Sequence, residues 1–264
     1  MSGAFISLDF FPNNGIVFAT HTDIGDEDMV YFTGDIHGSP WRVEEYCLKN
    51  RLTSADVIVI LGDVGANYYG DYRDDCVKQI LNMLGPTILC LHGNHEERPE
   101  HIDGYALMDW HGGKVWRQET YPRIFFAKDG EIFDIDGLRY LVIGGAYSVD
   151  KFYRLERGLH WWADEQPSAE IKALVEQKIG EERFDVILSH TCPFKYEPVE
   201  MFIDGIDQSR VDKSTELWLN TIEDRVSYLA WFCGHWHTDK RVDRMHFLFN
   251  TFEAAEEIKK LKMD

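Results

Sequence analysis

The chain has 264 residues, of which 44% are hydrophobic and 14% aromatic, enough to bury a substantial core and too apolar for a disordered polypeptide. Its formal net charge of -19, from 46 acidic and 27 basic residues, excludes the basic footprint that binding to duplex nucleic acid needs. A length of this order suits one α/β domain, expected to span residues 1–264.

Residues 4–11 and 15–19 read as a hairpin about Pro12-Asn13-Asn14-Gly15, because Asn-Gly supplies the positive φ of such turns. Residues 29–34 form an apolar strand that leads into Asp35-Ile36-His37-Gly38. Ser39 can cap the next helix and Pro40 can sit in its first turn, with Val43, Tyr46, Cys47 and Leu52 on one face. The run Val-Ile-Val-Ile-Leu at 57–61 then delivers Asp63 into a turn flanked by Gly62 and Gly65. Residues 74–84 are a second helix closed by Gly85-Pro86, and the strand at 87–92 leads into Gly93-Asn94-His95-Glu96. Strand, helix, strand, helix, strand predicts two βαβ units, hence a parallel sheet.

The middle of the chain changes character. Residues 125–127, 131–135 and 139–143 are short apolar runs separated by Asp129-Gly130 and Asp136-Gly137, which predicts antiparallel strands without ligands. An aromatic, charged stretch follows Gly144-Gly145-Ala146-Tyr147-Ser148. Residues 147–166 read either as a flap or as a packed surface loop whose cations snorkel. In the flap, Arg154 or Arg157 clamps a substrate phosphate and Trp161 or Trp162 stacks on a ring, since a guanidinium can bond two phosphate oxygens at once. Residues 168–179 are a helix with Ser168 as its cap and Gly180 past its end. The strand at 184–189 ends in His190, and residues 195–213 are mostly loop. A helix at 214–224 precedes the strand at 228–233, which leads into Gly234-His235-Trp236-His237. A strand at 245–249 and a charged helix at 254–262 complete the pattern.

The five cysteines are odd in number, lie mostly beside apolar runs and form no CxxC pair, as reduced thiols in a reducing compartment do. No basic segment precedes the first apolar residues and no apolar run approaches 18 residues, so a cytoplasmic protein without a signal peptide or a membrane partner is expected.

Five apolar runs thus end in polar residues that ligate metals: Asp35, His37, Asp63, Asn94, His190, His235 and His237, with His95 beside Asn94. Carboxylate, imidazole and carboxamide oxygen together suit divalent ions of intermediate hardness, namely Mn, Fe, Zn or Ni, with Mn favoured. Seven ligands are too many for one such ion. Two ions sharing a carboxylate fit, and such a pair would also draw an anionic substrate to an acidic protein.

The segments GDIHG at 34–38, GDVG at 62–65, GNHE at 93–96, SH at 189–190 and GHWH at 234–237 resemble, in order and spacing, the five signature blocks of the calcineurin-like metallophosphoesterase family. The resemblance implies a four-layer α/β/β/α sandwich of two mixed sheets. It also implies that Asp35, His37 and His237 hold one metal, that Asn94, His190 and His235 hold the second, and that Asp63 bridges them. His95 would bind the phosphate and protonate the leaving oxygen, while a metal-bridging hydroxide attacks a phosphate mono- or diester in line.

Two departures bear on substrate. The serine/threonine phosphatases of this family carry Arg before GNHE, where this chain has His92, and an Asp three residues after the bridging Asp, where it has Ala66. The carboxylate that orients His95 would then be Glu96, Asp71 or Asp74, and His92 becomes a candidate substrate contact. The blocks GDVGANY, GGAYSVDK and WWADEQP look like those of small bacterial and phage-type members. A small-molecule phosphoester such as a nucleotide is therefore favoured over a phosphoprotein, with a non-catalytic interaction module of the same fold as the competing class.

Overall fold

The structure is a computed structural model that describes residues 29–263; the hairpin expected at 4–19 lies outside the described residues. Strand β1 (Val30–Thr33) enters the first polar turn, and α1 (Trp41–Asn50) runs back to β2 (Val57–Ile60). After the Asp63 turn, α2 (Tyr72–Met83) returns the chain to β3 (Thr87–Cys90). These strands pair in parallel with Val30 opposite Val57 and Val57 opposite Thr87, so their carboxyl ends lie side by side.

Strands β4 (Tyr105–Trp110) and β5 (Gly113–Gln118) form an antiparallel hairpin beside β6 (Ile124–Ala127). Strands β7 (Ile132–Ile135) and β8 (Leu138–Ile143) open a second sheet. Then come α3 (Lys151–Glu156), α4 (Ala169–Glu181), β9 (Val186–Ser189), α5 (Ser214–Glu223) and β10 (Ala230–Cys233). Short strands β11 (Lys240–Val242), β12 (Met245–Phe247) and β13 (Phe252–Ala254) precede α6 (Glu256–Met263). The seven-stranded sheet runs β13-β1-β2-β3-β6-β5-β4 and the six-stranded sheet β11-β12-β10-β9-β8-β7. Each has parallel strands at its centre and antiparallel strands at its edges.

Side-chain alternation turns these sheets into layers. Val57, Val59 and Leu61 face Val142, Leu188 and Phe232 of the other sheet in one apolar cluster, which Ile258 of α6 joins. Ile58 and Ile60 face outward against Val43 and Cys47 of α1 and Val77 and Leu81 of α2. On the far side, Leu141, Ile187 and Trp231 pack against Val175 of α4 and Leu219 and Ile222 of α5. The result is the expected α/β/β/α sandwich of two mixed sheets. Among the described residues no helix is long and apolar enough to cross a membrane.

Several local expectations need correction. The three runs at 125–143 do not form one antiparallel set, because β6 pairs in parallel with β3 and the chain crosses to the second sheet through Asp129-Gly130. The Asp129 carboxylate ties that crossover down by accepting from the Gly144 N–H (2.8 Å) and from Arg98 Nη1 (2.7 Å). Pro40, not Ser39, occupies the cap of α1. Helix α2 starts two residues early because the Asp71 side chain accepts from the Arg73 N–H. Ser168 does cap α4, accepting from the Ile171 N–H at 3.3 Å, but the helix continues to Glu181, so Gly180 lies inside its last turn.

Candidate metal centre

The turns after β1, β2, β3, β9 and β10 meet at the carboxyl ends of the parallel strands. Ligand atoms of Asp35, His37 and His237 lie within 4.8 Å of one another, as do those of Asp35, Asp63 and His190 and those of His37, Asp63 and His95. The His190 and His235 rings are 5.1 Å apart, and His190 Nε2 is 2.9 Å from Asn94 Oδ1. All seven expected ligands are therefore brought together, with His95 at their margin.

The local sequence explains how so many polar groups fit. His37 (φ 44°), Asp63 (φ 48°), His235 (φ 63°) and His237 (φ 48°) adopt left-handed backbone, half of the eight non-glycine residues with positive φ among the described residues. That conformation costs an L-residue roughly 1–2 kcal/mol and aims its side chain back across the strand ends. Glycine supplies the remaining space. A Cβ at Gly93 would collide with the Asp63 carboxylate, one at Gly234 with the Asp35 carboxylate, and one at Gly62 with the His190 ring. The glycine of each turn thus seats the ligand of another.

Hydrogen bonds fix which atoms face inward. His190 Nδ1 donates to the Leu61 carbonyl at 2.7 Å, which leaves Nε2 with a lone pair. Asn94 Nδ2 donates to Ser148 Oγ at 2.9 Å, which turns the amide oxygen toward the cluster. Two acceptors, His190 Nε2 and Asn94 Oδ1, then stand 2.9 Å apart. A cation held between them would relieve that repulsion, and the donor set fits one. Similarly, His37 Nε2 and His237 Nε2 face each other at 2.8 Å. Asp63 turns Oδ1 toward His190 Nε2 (3.6 Å) and Oδ2 toward His37 Nε2 (4.0 Å), so one carboxylate reaches both halves of the cluster.

The electrostatics match this arrangement. Burial raises the pKa of Asp35, but the hydrogen bond with His237 and the nearby imidazoles outweigh it and hold the carboxyl below its ordinary value. Asp63 behaves likewise: burial opposes ionisation, while His190, His95 and His37 favour it more strongly. Burial drives the pKa of His235 down to about 3, which keeps that imidazole neutral and able to ligate. Asp35 and Asp63 further accept backbone N–H bonds from His235 (2.9 Å) and His95 (2.7 Å).

The three carboxylates expected to orient His95 each accept other hydrogen bonds, although Glu96 keeps a buried Oε2 without a partner. Glu96 accepts from the Gly93 N–H (2.9 Å), Asp74 from the Tyr69 and Gly70 N–H groups, and Asp71 from Arg73. Asp150 Oδ1 instead stands 3.8 Å from His95 Nε2.

The expected substrate contacts are also placed differently. Arg157 is exposed, stacks 4.7 Å from the Tyr153 ring and does not line the metal cleft. Arg154 is 1% exposed; Nη1 donates to Ser148 Oγ (3.1 Å) and lies 3.9 Å from Asp150 Oδ1, while Nε and Nη2 are buried without a partner. His92 is buried and lines a separate cleft beside Arg98 and Asp129. Trp161 donates to Glu165 (2.8 Å) and Trp162 stacks on His160, so both rings are engaged within the 147–166 segment.

A cleft of about 400 Å³ opens over the cluster, with His37, Asp63, Asn94, His95, His235 and His237 in its lining. Tyr147, Val149 and Asp150 supply part of the wall. Most of the rest comes from residues 197–213, where Met201, Phe202, Ile203, Ile206 and Val211 carry the apolar surface. Reading that segment as plain loop missed its part in the site. The available signal was its run of large apolar side chains among polar ones, unusual in a solvated loop.

A family model described as calcineurin-like phosphoesterase matches residues 29–239. No curated protein matches the chain. Among solved structures, a protein of unknown function from Aquifex aeolicus is 12% identical, covering 89% of this chain and 99% of its own, with a TM-score of 0.40. The protein TT1561 of Thermus thermophilus is 11% identical over 86% of this chain and 97% of its own, with a TM-score of 0.47. The phosphopantetheinyl hydrolase of Mycobacterium tuberculosis is 12% identical over 86% and 89% respectively, with a TM-score of 0.41.

Proposed function

Because the chain belongs to the calcineurin-like phosphoesterase family, we propose that it is a metal-dependent hydrolase of a small-molecule phosphate mono- or diester. Asp35, His37 and His237 would hold one divalent cation and Asn94, His190 and His235 a second, with Asp63 serving both; manganese suits this mixed oxygen and nitrogen set. When bound, such a pair would supply Lewis-acid polarisation of the phosphoryl oxygens and would lower the pKa of a nearby water. The observation that carries this reading is the two-way reach of Asp63, whose oxygens address His190 and His37 separately.

The chain's own groups do the rest. His95 lies beside Asp63 and His37 at the cleft, where its ring can pass a proton to the departing alkoxide; burial holds its pKa below the ordinary value, which favours giving that proton up. Asp150 Oδ1, 3.8 Å from His95 Nε2, works against that burial by favouring the charged form of the ring. Ser148 Oγ accepts from both Asn94 Nδ2 and Arg154 Nη1, which holds the amide oxygen toward the cluster. Burial of Asp35 and Asp63 excludes water that would otherwise weaken the charges gathered there. Five unpaired cysteines, Cys76 exposed and the others buried, support a reducing cytoplasm as the working compartment.

Metal analysis together with turnover of an aryl phosphate and an aryl phosphodiester tests the proposal. The wild-type protein should bind metal and hydrolyse at least one ester, and Asp63→Asn should lower that turnover by about 10³-fold or more. Full activity in the variant, or a metal-loaded protein inert toward both esters, would sink it.

A further inference from the structure

On the reading that this cleft hydrolyses phosphoesters, we propose that its substrate carries an aliphatic chain on the phosphate, and that residues 201–211 bind that chain beside the metal centre. The cleft is two-sided in chemistry. One end presents the metal-ligand side chains, while Met201, Phe202, Ile203, Ile206 and Val211 line the remainder with Tyr147 and Val149. A volume of about 400 Å³ is far more than a phosphate group fills and is of the size that encloses a small organic molecule.

Most of the charged side chains among these apolar residues are engaged with protein partners. Glu197 accepts from Lys213 Nζ at 2.7 Å, and Asp212 accepts from the Ser214 N–H (2.9 Å) and from Gln166 Nε2 (3.1 Å). Glu216 accepts from Thr191 Oγ1 at 2.8 Å through Oε1, and its Oε2 is buried without a partner. A nucleobase needs hydrogen-bonding groups along its edge, whereas a chain of methylenes needs only surface removed from water. The wall is mainly apolar and so favours the second.

The wall is also in register with the reacting end. Phe202 stacks on Trp236, with ring centroids 5.8 Å apart, and Trp236 lies between His235 and His237 in the chain.

 The 23° between those ring planes makes them a stacked pair, so the apolar wall is fixed against the turn that would hold the cation. Apolar surface continues past the mouth at Val199 (66% exposed) and Ile203 (60% exposed), which a longer chain would cover.

The test uses n-alkyl phosphates from ethyl to octyl, their p-nitrophenyl diesters and a nucleoside monophosphate, with the matching alkylphosphonates for binding by calorimetry. In the manganese-loaded wild-type protein, kcat/KM and phosphonate affinity should each rise about threefold per added methylene until the wall is filled. Ile206→Asp, on a half-exposed loop position, should flatten both slopes. If esters of every length are hydrolysed equally, or the nucleotide exceeds the octyl ester, the aliphatic subsite is overturned and the phosphoesterase reading stands. If no ester is hydrolysed while phosphonate affinity still climbs with length and Ile206→Asp abolishes the climb, the subsite stands and the phosphoesterase reading falls. Flat slopes in both measurements overturn the subsite outright.

Discussion

The ligand turns at one end of the cleft and residues 197–213 at the other are held by different forces. In the turns, left-handed residues and glycines pack so closely that Gly62, Gly93 and Gly234 have no room for a methyl group. In the wall, short 3-10 turns at Val199–Met201 and Gln208–Arg210 are joined through Gly205, which has nothing within 4 Å of a built Cβ. The first region admits one arrangement of side chains, whereas the second can change its surface at little cost. Fixed chemistry and adjustable selectivity are separated in the same cleft.

The largest expected contrast comes from making one substitution in both regions. Gly93→Ala should destabilise the protein by about 3 kcal/mol, because the new methyl overlaps Asp63, while Gly205→Ala should cost about 1 kcal/mol for its φ of 83° alone. Denaturant midpoints measure both, and equal costs would break the comparison. Next, His95→Ala should lower turnover by about 10²-fold while metal content persists. Loss of metal in that variant would make His95 a ligand and not the proton donor.

A pH effect belongs to the wall. Burial pushes the Glu216 carboxyl up to about 7, and its Oε2 is buried without a partner, as suits a carried proton. The folded state therefore binds this proton more tightly than the unfolded chain, so the contribution is complete below about pH 4.5 and is lost as pH rises through 7. Glu216→Gln should remove that dependence and leave the variant more stable than wild type at pH 8, by about 2 kcal/mol. Unchanged stability profiles would show that Glu216 is ionised in the fold. The smallest effect is expected from Ser148→Ala, which frees the Asn94 amide and should weaken metal binding by about tenfold in a titration. Unaltered affinity would mean that Asn94 is oriented by other contacts.

The same division governs what the sequence reveals. Asp35, Asp63, Asn94 and His235 are legible because each follows an apolar strand within a few residues, and the alternation of strands with α1 and α2 predicts their parallel pairing. The β4–β5 hairpin escapes notice because Tyr105–Trp110 buries neither face fully, so no clean period marks it. Arg154 sits in a charged stretch that suggests an open flap, yet its direction is set by Ser148 and by the turn of α3, which composition does not encode. The place of Asp150 beside His95 depends on how the second sheet packs on the first, a long-range contact with no local signature. The wall residues are apolar in a segment without regular structure, where neither helical nor strand spacing applies.

The central claim is that Asp63 joins two cation sites. Anomalous diffraction from crystals grown with manganese tests it most directly. Two peaks about 3.5–4 Å apart are predicted, one against Asp35, His37 and His237 and the other against Asn94, His190 and His235, with the Asp63 carboxylate between them. A single peak that leaves Asp63 uncoordinated, or ions bound away from these side chains, would contradict the account.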